Sequence, residues 1–172
     1  YFFLSSWKWR EKLFSMVDLS ESTLFLTFDI FDKYISCQSI KEEEFLLILV
    51  TCYSIAVKYN ERTVLGLDSL IRTCNYNFTK EEILNCEKNI MKILDYDIST
   101  PTIYDLFQFI QIAKKMNNIL YNLGLLFLEM FITVGGNLKY SSLIILEAVY
   151  WLLVDVDNKK ESSLDLYKYI IE

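Results

Sequence analysis

The chain has no histidine, one proline and four glycines in 172 residues. The missing histidine removes imidazole acid–base chemistry, Ser/His and Cys/His nucleophile pairs, and most zinc sites. No glycine-rich phosphate loop is present either. An enzyme is therefore not expected, and neither is a metal or another cofactor. So little proline and glycine leaves few turns between strands, and the class that tolerates this is all-α. Long uninterrupted apolar runs are also lacking. The longest are Phe45–Val57, Ile119–Val134 (broken by Asn122 and Glu129) and Leu143–Val154 (broken by Glu147). None reaches the roughly 18 to 20 residues of a spanning helix, so these runs read as buried core helices and no membrane partner is expected. No signal peptide is visible, and the opening YFFLSS reads as a trimmed start. Concentrated basic charge is absent too. The net charge is −6, and Lys and Arg are scattered, with only short pairs at 114–115 and 159–160. A nucleic-acid partner would need a basic patch, so none is expected. The four cysteines, Cys37, Cys52, Cys74 and Cys86, have no CxxC spacing. They read as buried reduced thiols of an intracellular protein.

What is present is apolar surface. Hydrophobic residues make up 53% of the chain and aromatics 16%, which argues against disorder and for a sizeable core. Ser5–Val17 reads as a short amphipathic helix. Ser20 or Ser22 opens the next, through TLFLTFDIFDKYIS. Ser39 with Glu42 has the spacing of a capping box before the most apolar stretch, and Thr79 with Glu82 has the same spacing before EEILNCEKNIMKILDY. Asp68 begins a short helix between them. Thr100-Pro101 marks a break, with the proline suited to the first turn of the helix that follows. After it come TIYDLFQFIQIAKKM, NILYNLGLLFLEMFITV, SSLIILEAVYWLLV and SLDLYKYII. The second set repeats the first in outline, which suggests two halves, residues 1–99 and 100–172.

Two charges sit oddly in this pattern. FLLILVTCYSIAV (Phe45–Val57) is apolar almost all the way round a helix, yet it finishes on Lys58. Two helices later, Glu87 falls on the apolar stripe Ile83, Leu84, Ile90, Met91, Leu94. A charge there is costly unless it is paired or faces a partner. The residues alone leave two readings open: an internal Lys58–Glu87 salt bridge, or a pair presented to another molecule.

Three pieces together resemble a cyclin box. TLFLTFDIFDKYIS (Thr23 to Ser36) is similar to the "TL-x-LA-x-x-x-x-DRFLS" helix. LLILVTCYSIAVKYNE (Leu46 to Glu61) is similar to "LQLVG-x-x-x-LLASK-[FY]-EE". NFTKEEILNCEKNIMKILDYDISTPT (Asn77 to Thr102) is similar to the helix carrying the "ME" pair and ending "PT". The resemblance spans roughly Trp9 to Phe109, and the second half resembles the second fold of mitotic-type cyclins more loosely. It implies tandem five-helix folds, the second one helix short within this chain. It also implies a regulatory subunit, in nucleus or cytoplasm, that binds and activates a cyclin-dependent protein kinase in cell-cycle control. By this resemblance Lys58 and Glu87 hold the kinase's C helix through polar contacts, and Ile55, Tyr59, Met91, Tyr96 and Ile98 surround a pocket for one of its side chains. The docked helix turns inward and completes the Lys–Glu ion pair that active kinases require. Two related readings stand beside it: a transcription-factor-type tandem cyclin fold, against which the acidic balance argues, and a cyclin-like scaffold that binds without activating.

The chain departs from the family pattern in places. The arginine of the DRFLS-type motif is Lys33, and ASKFEE has become AVKYNE. Asp32, flanked by Ile30, Phe31 and Ile35, calls for a cation. In the preferred register Arg10 of REKLFSM supplies it. In the ungapped register Trp9 keeps the family's tryptophan position and Phe3 takes the arginine's place. The "MRAIL" substrate-recruiting motif is absent in either register, so Arg-x-Leu-type substrate docking is not expected.

Overall fold

A computed structural model describes residues 20–62, 66–73, 78–133 and 140–158. Among these residues every regular element is a helix: α1 (Glu21–Cys37), α2 (Glu42–Asn60), α3 (Leu67–Thr73), α4 (Lys80–Ile93), α5 (Ile103–Lys114), α6 (Asn118–Thr133) and α7 (Ser142–Asn158). The all-α expectation holds. The expected helices at Ser5–Val17 and in SLDLYKYII lie outside the described residues. No described helix is long and apolar enough to cross a membrane, and no group of three or more metal-ligating side chains occurs among the described residues.

The helix starts follow local hydrogen-bond chemistry. Ser20 caps α1, its side chain accepting from the Thr23 N–H at 3.3 Å. Thr79 and Glu82 form the expected capping box of α4: Thr79 Oγ1 accepts from the Glu82 N–H at 3.2 Å, and Glu82 Oε2 accepts from the Thr79 N–H at 2.7 Å. The Thr79 N–H, and after it the Thr79 hydroxyl, both donating to the Glu82 carboxylate, hold that carboxyl below its ordinary value. The expected Ser39–Glu42 box is not the one used. Lys41 is the N-cap of α2, and Glu44 reaches back to accept from its N–H at 3.0 Å. Three consecutive glutamates, Glu42 to Glu44, offer three frames to the sequence reader, and the helix takes the last. Pro101 likewise stands outside the helix that follows it. Thr102 caps α5 instead, accepting from Asp105 N–H at 3.3 Å while the Asp105 carboxylate accepts from Thr102 N–H at 2.7 Å.

The chain forms two compact units, residues 1–105 and 106–172, with the boundary inside α5. In the first unit α2 is the central element, and every residue from Ile48 to Val57 is buried. Its unusual all-round apolarity has a geometric cause. One side, Ile48, Leu49, Cys52, Ile55 and Ala56, packs with Leu26, Ile30, Phe31 and Tyr34 of α1 and Ile90 of α4. Another side, Val50, Tyr53 and Val57, packs with Leu70 of α3. A helix covered on both sides has no face left for polar residues. The two elements flanking α2 are also tied to each other, since Asn89 Nδ2 donates to the Tyr34 hydroxyl at 3.0 Å. The thiols divide. Cys52 is buried and Cys86 partly so, and burial raises both above their ordinary values. Cys37 is exposed, against the expectation that the thiols are buried. It falls at the last turn of α1, past the stripe that faces α2. Cys74 lies outside the described residues.

In the second unit α6 packs on α7, with Leu128, Ile145 and Leu153 fully buried. Gly124 marks a close approach: a Cβ there would run into the Phe107 ring and lie 3.0 Å from Leu153 Cδ1. Phe107 in turn stacks on Tyr121 with ring centroids 5.7 Å apart.

Candidate functional site

The last turn of α2 is where its buried stripe meets water. Val57 is buried, and Lys58 and Tyr59 are exposed. Lys58 is suited to that end, because a cation offsets the partial negative charge of a helix C-terminus. Its ammonium reaches across to α4 and donates to both carboxylate oxygens of Glu87, at 2.7 and 2.6 Å. The two side chains keep 36% and 22% of their surface. The pair is thus closed within the chain and still reachable from solvent. Glu87 can occupy the apolar stripe because it keeps part of its surface and its charge is met by Lys58, while Ile83 and Ile90 on either side of it are fully buried.

The five apolar positions expected around this pair fall into different settings. Tyr59 and Tyr96 are exposed, at 54% and 69%. Met91 is half-buried against the core, and Ile55 and Ile98 are core residues, at 4% and 8%. Ile55 therefore supports this edge from beneath and presents almost no surface, because it lies on the side of α2 that faces α1 and α4. Tyr96 is turned outward by the backbone. Asp95 and Tyr96 both adopt left-handed conformations, with φ of 50° and 59°. That is rare for a bulky side chain and holds only where surroundings compel it. Here the Tyr96 N–H closes the end of α4 on the Met91 carbonyl at 2.8 Å.

An open groove of about 290 Å³ has neither Lys58 nor Glu87 in its lining. Tyr59 and Ile98 line it, together with Ser22 and Leu26 of α1, Asn60 of α2, the segment 99–102 and Asp105. Of the five expected residues the structure brings two to this groove. Ile55, Met91 and Tyr96 stand outside its lining.

Asp32 is partly buried on α1. Arg10, its expected partner, lies outside the described residues, as do Phe3 and Trp9 of the alternative register. Lys33 has its own role. It pairs with Asp29 at 2.7 Å and donates to the Thr100 hydroxyl, tying α1 to the segment that leads into α5.

Two residues of the AVKYNE stretch were not singled out by sequence reasoning. Glu61 ends α2, and its Oε1 accepts three hydrogen bonds from the start of α1: from the Ser20 N–H at 3.2 Å, from Ser20 Oγ at 2.8 Å and from Thr23 Oγ1. Asn60 Nδ2 donates to Ser22 Oγ at 3.1 Å. The donors from Thr23, then Ser20, hold the Glu61 carboxyl below its ordinary value of 4.5. The phenol of Tyr53 is pushed up to about 12, by burial first and then by the Glu61 charge. The signal for Glu61 was its place in the quoted motif, but its partners lie 38 to 41 residues away in the chain. No local pattern reveals them.

Among the described residues these features define a helical module that presents a charged edge, exposed tyrosines and a shallow groove. The chain matches the family described as cyclin, N-terminal domain, over residues 5–99, and it belongs to the cyclin family. It is 31% identical over 143 residues to Cyclin-B2-1 of Oryza sativa subsp. japonica, covering 83% of this chain and 34% of that protein. It is 34% identical over 108 residues to Cyclin-B1-5 of the same subspecies, covering 60% and 24%. It is 29% identical over 133 residues to G2/mitotic-specific cyclin-1 of Medicago sativa subsp. varia, covering 77% and 31%. The chain thus spans about a third or less of the length of these relatives.

Proposed function

We propose that this cyclin-family chain is a non-catalytic subunit that binds and activates a cyclin-dependent protein kinase, offering the Lys58–Glu87 edge to the kinase's C helix. The observation that carries the reading is the setting of that pair. An exposed ion pair stabilises a fold by only about 0 to 1 kcal/mol, so stability gives little reason to keep two charges at the end of an apolar stripe. A partner gives one. Tyr59, which follows Lys58 in the chain, and Tyr96, just past the end of α4, stand exposed, and the groove lined by Tyr59, Ile98 and Leu26 has room for one apolar side chain. Aromatic residues next to charge are the usual composition of interface anchors.

In this reading the chain supplies binding energy and no chemistry. A docked kinase is shifted toward its active population because the inward position of its C helix binds this edge better than the outward one does. The names of the relatives, which include G2/mitotic-specific cyclins, set the expected context as cell division, in nucleus or cytoplasm. The net charge of −6 favours this reading over a transcription-factor-type fold on DNA.

The test combines capture and stimulation. The purified chain is mixed with recombinant cyclin-dependent kinases, and binding and histone phosphorylation are measured for wild type and Glu87→Ala. Binding with stimulation, both lost in Glu87→Ala while the protein remains folded, is expected. Binding without stimulation would make the chain a scaffold. Normal affinity with lowered stability in Glu87→Ala would defeat the docking edge.

A further inference from the structure

The Glu61 cluster calls for its own explanation. Helix ends fray, and a common remedy is a glycine in the left-handed conformation just past the last turn. At the end of α2 the chain instead leaves in an extended conformation at Glu61, with φ −93° and ψ 141°. What holds this end is another helix. The Glu61 carboxylate sits at the N-terminus of α1, where free N–H groups and the helix dipole favour an anion. Ser20 Oγ both donates to Glu61 Oε1 and accepts from the Thr23 N–H, so the cap of α1 and the end of α2 form one connected network. Asn60 to Ser22 runs alongside it. These contacts join the walls of the groove: Ser22 and Leu26 come from α1, Tyr59 and Asn60 from α2. The same turn carries Lys58.

We propose that Glu61, assisted by Asn60, is a positioning residue: by clasping the last turn of α2 to the N-terminus of α1 it fixes the width of the groove and holds Tyr59 and Lys58 in the geometry a partner meets. The binding part of this rests on the docking reading above. The clasp itself does not. Charge-assisted bonds such as those of Glu61 are stronger than neutral ones, and Glu61→Gln keeps the shape while removing the charge. Without the clasp the last turn of α2 opens for part of the time, and only the closed fraction is competent to bind. If that fraction falls to between a tenth and a fifth, apparent affinity weakens about fivefold to tenfold.

The experiment uses the whole chain with the kinase found to bind it. Amide hydrogen exchange is measured on the free chain, and Kd on the complex, for wild type, Glu61→Gln, Ser20→Ala, their double variant, and Glu87→Ala. Expected in Glu61→Gln is faster exchange at Tyr59, Asn60 and Glu61, unchanged exchange across Ile48–Val57, and a Kd about fivefold to tenfold weaker. Ser20→Ala should act on the same amides, and the double variant should be no worse than the more damaging single one, since both remove one network. A merely structural role for Glu61 predicts lowered thermal stability with Kd unchanged, and that result would overturn the proposal. Unchanged exchange in the last turn would overturn it equally. If Glu87→Ala binds as wild type does, the docking reading falls and the groove-setting role falls with it. If Glu87→Ala loses binding and Glu61→Gln does not, only the positioning role falls.

Discussion

The middle of α2 and its last turn belong to one continuous helix and have opposite environments. From Ile48 to Val57 every side chain is buried. Over the next four positions the side chains are exposed or partly buried, and they turn to polar partners: Lys58 to Glu87, Asn60 to Ser22, Glu61 to Ser20 and Thr23. The two stretches do different work. The middle gathers α1, α3 and α4 through apolar contact, which is strong and carries little directional information. The last turn joins α1 and α4 through directional bonds that add little stability but set the position of each group. In the docking reading proposed above, stability and recognition are separated by a single helical turn.

That division can be broken at its strongest point by Ile90→Ala. Ile90 is fully buried against the middle of α2. Removing a buried isoleucine side chain costs roughly 2 to 5 kcal/mol, by lost transfer and by the cavity left behind. Chemical denaturation should show a loss in that range, large enough to threaten folding of a marginal domain. A loss below about 1 kcal/mol would mean that the core relaxes far more freely than its packing implies.

Thr79→Ala should have an intermediate effect. It removes the side-chain cap of α4 and the bond that Thr79 Oγ1 donates to Glu82. N-cap threonines are typically worth about 1 kcal/mol. The loss should appear in denaturant unfolding and as faster amide exchange in the first turn of α4, with binding of a partner at the far end of that helix little changed.

Glu87→Ala, one turn before Ile90 on the same helix, should cost still less stability, about 0 to 1 kcal/mol, because the pair it breaks is open to water. Its effect on kinase affinity should run the other way and exceed about 2 kcal/mol, as for a contact near an interface centre. Ile90→Ala and Glu87→Ala together therefore sharpen the contrast: one should unfold without being specific to binding, the other should lose binding without unfolding.

Much of this was readable from residue order. The helical class followed from scarce proline and glycine, and the start of α4 from Thr79 and Glu82 at capping-box spacing. The oddity of Lys58 and Glu87 was visible as charge breaking an apolar period, and their meeting at 2.6 Å is what such a break foreshadows. Other features were not readable, for specific reasons. Consecutive glutamates hid which one caps α2. Ile55 carries the same chemistry whether it lines a surface or a core, and only the placement of α1 and α4 buries it. Tyr96 projects outward because two residues take left-handed conformations, which no propensity predicts for a tyrosine. The Glu61 clasp depends on the ends of two helices meeting, a fact of tertiary packing with no local signature.

The smallest effect expected is an acid one, and its sign distinguishes the clasp from the core. The Glu61 carboxyl is held below its ordinary value of 4.5 by donors on Thr23 and Ser20. A carboxyl whose folded value is depressed binds its proton more weakly folded than unfolded. Its contribution to stability is then fully present above the ordinary value and is lost as pH falls through the depressed one. Wild type and Glu61→Gln should therefore differ in melting temperature by a constant amount near neutral pH. The difference should shrink below 4.5, as the wild-type carboxylate is protonated and comes to resemble the glutamine. Glu82, also depressed, titrates in both proteins and cancels from the comparison. Tyr53, pushed up to about 12, does not titrate in this window. The side chain of Glu61 is only partly buried, so screening keeps the effect small. A difference that stayed constant down to strongly acidic pH would show that the charge of Glu61 takes no part in holding the two helices together.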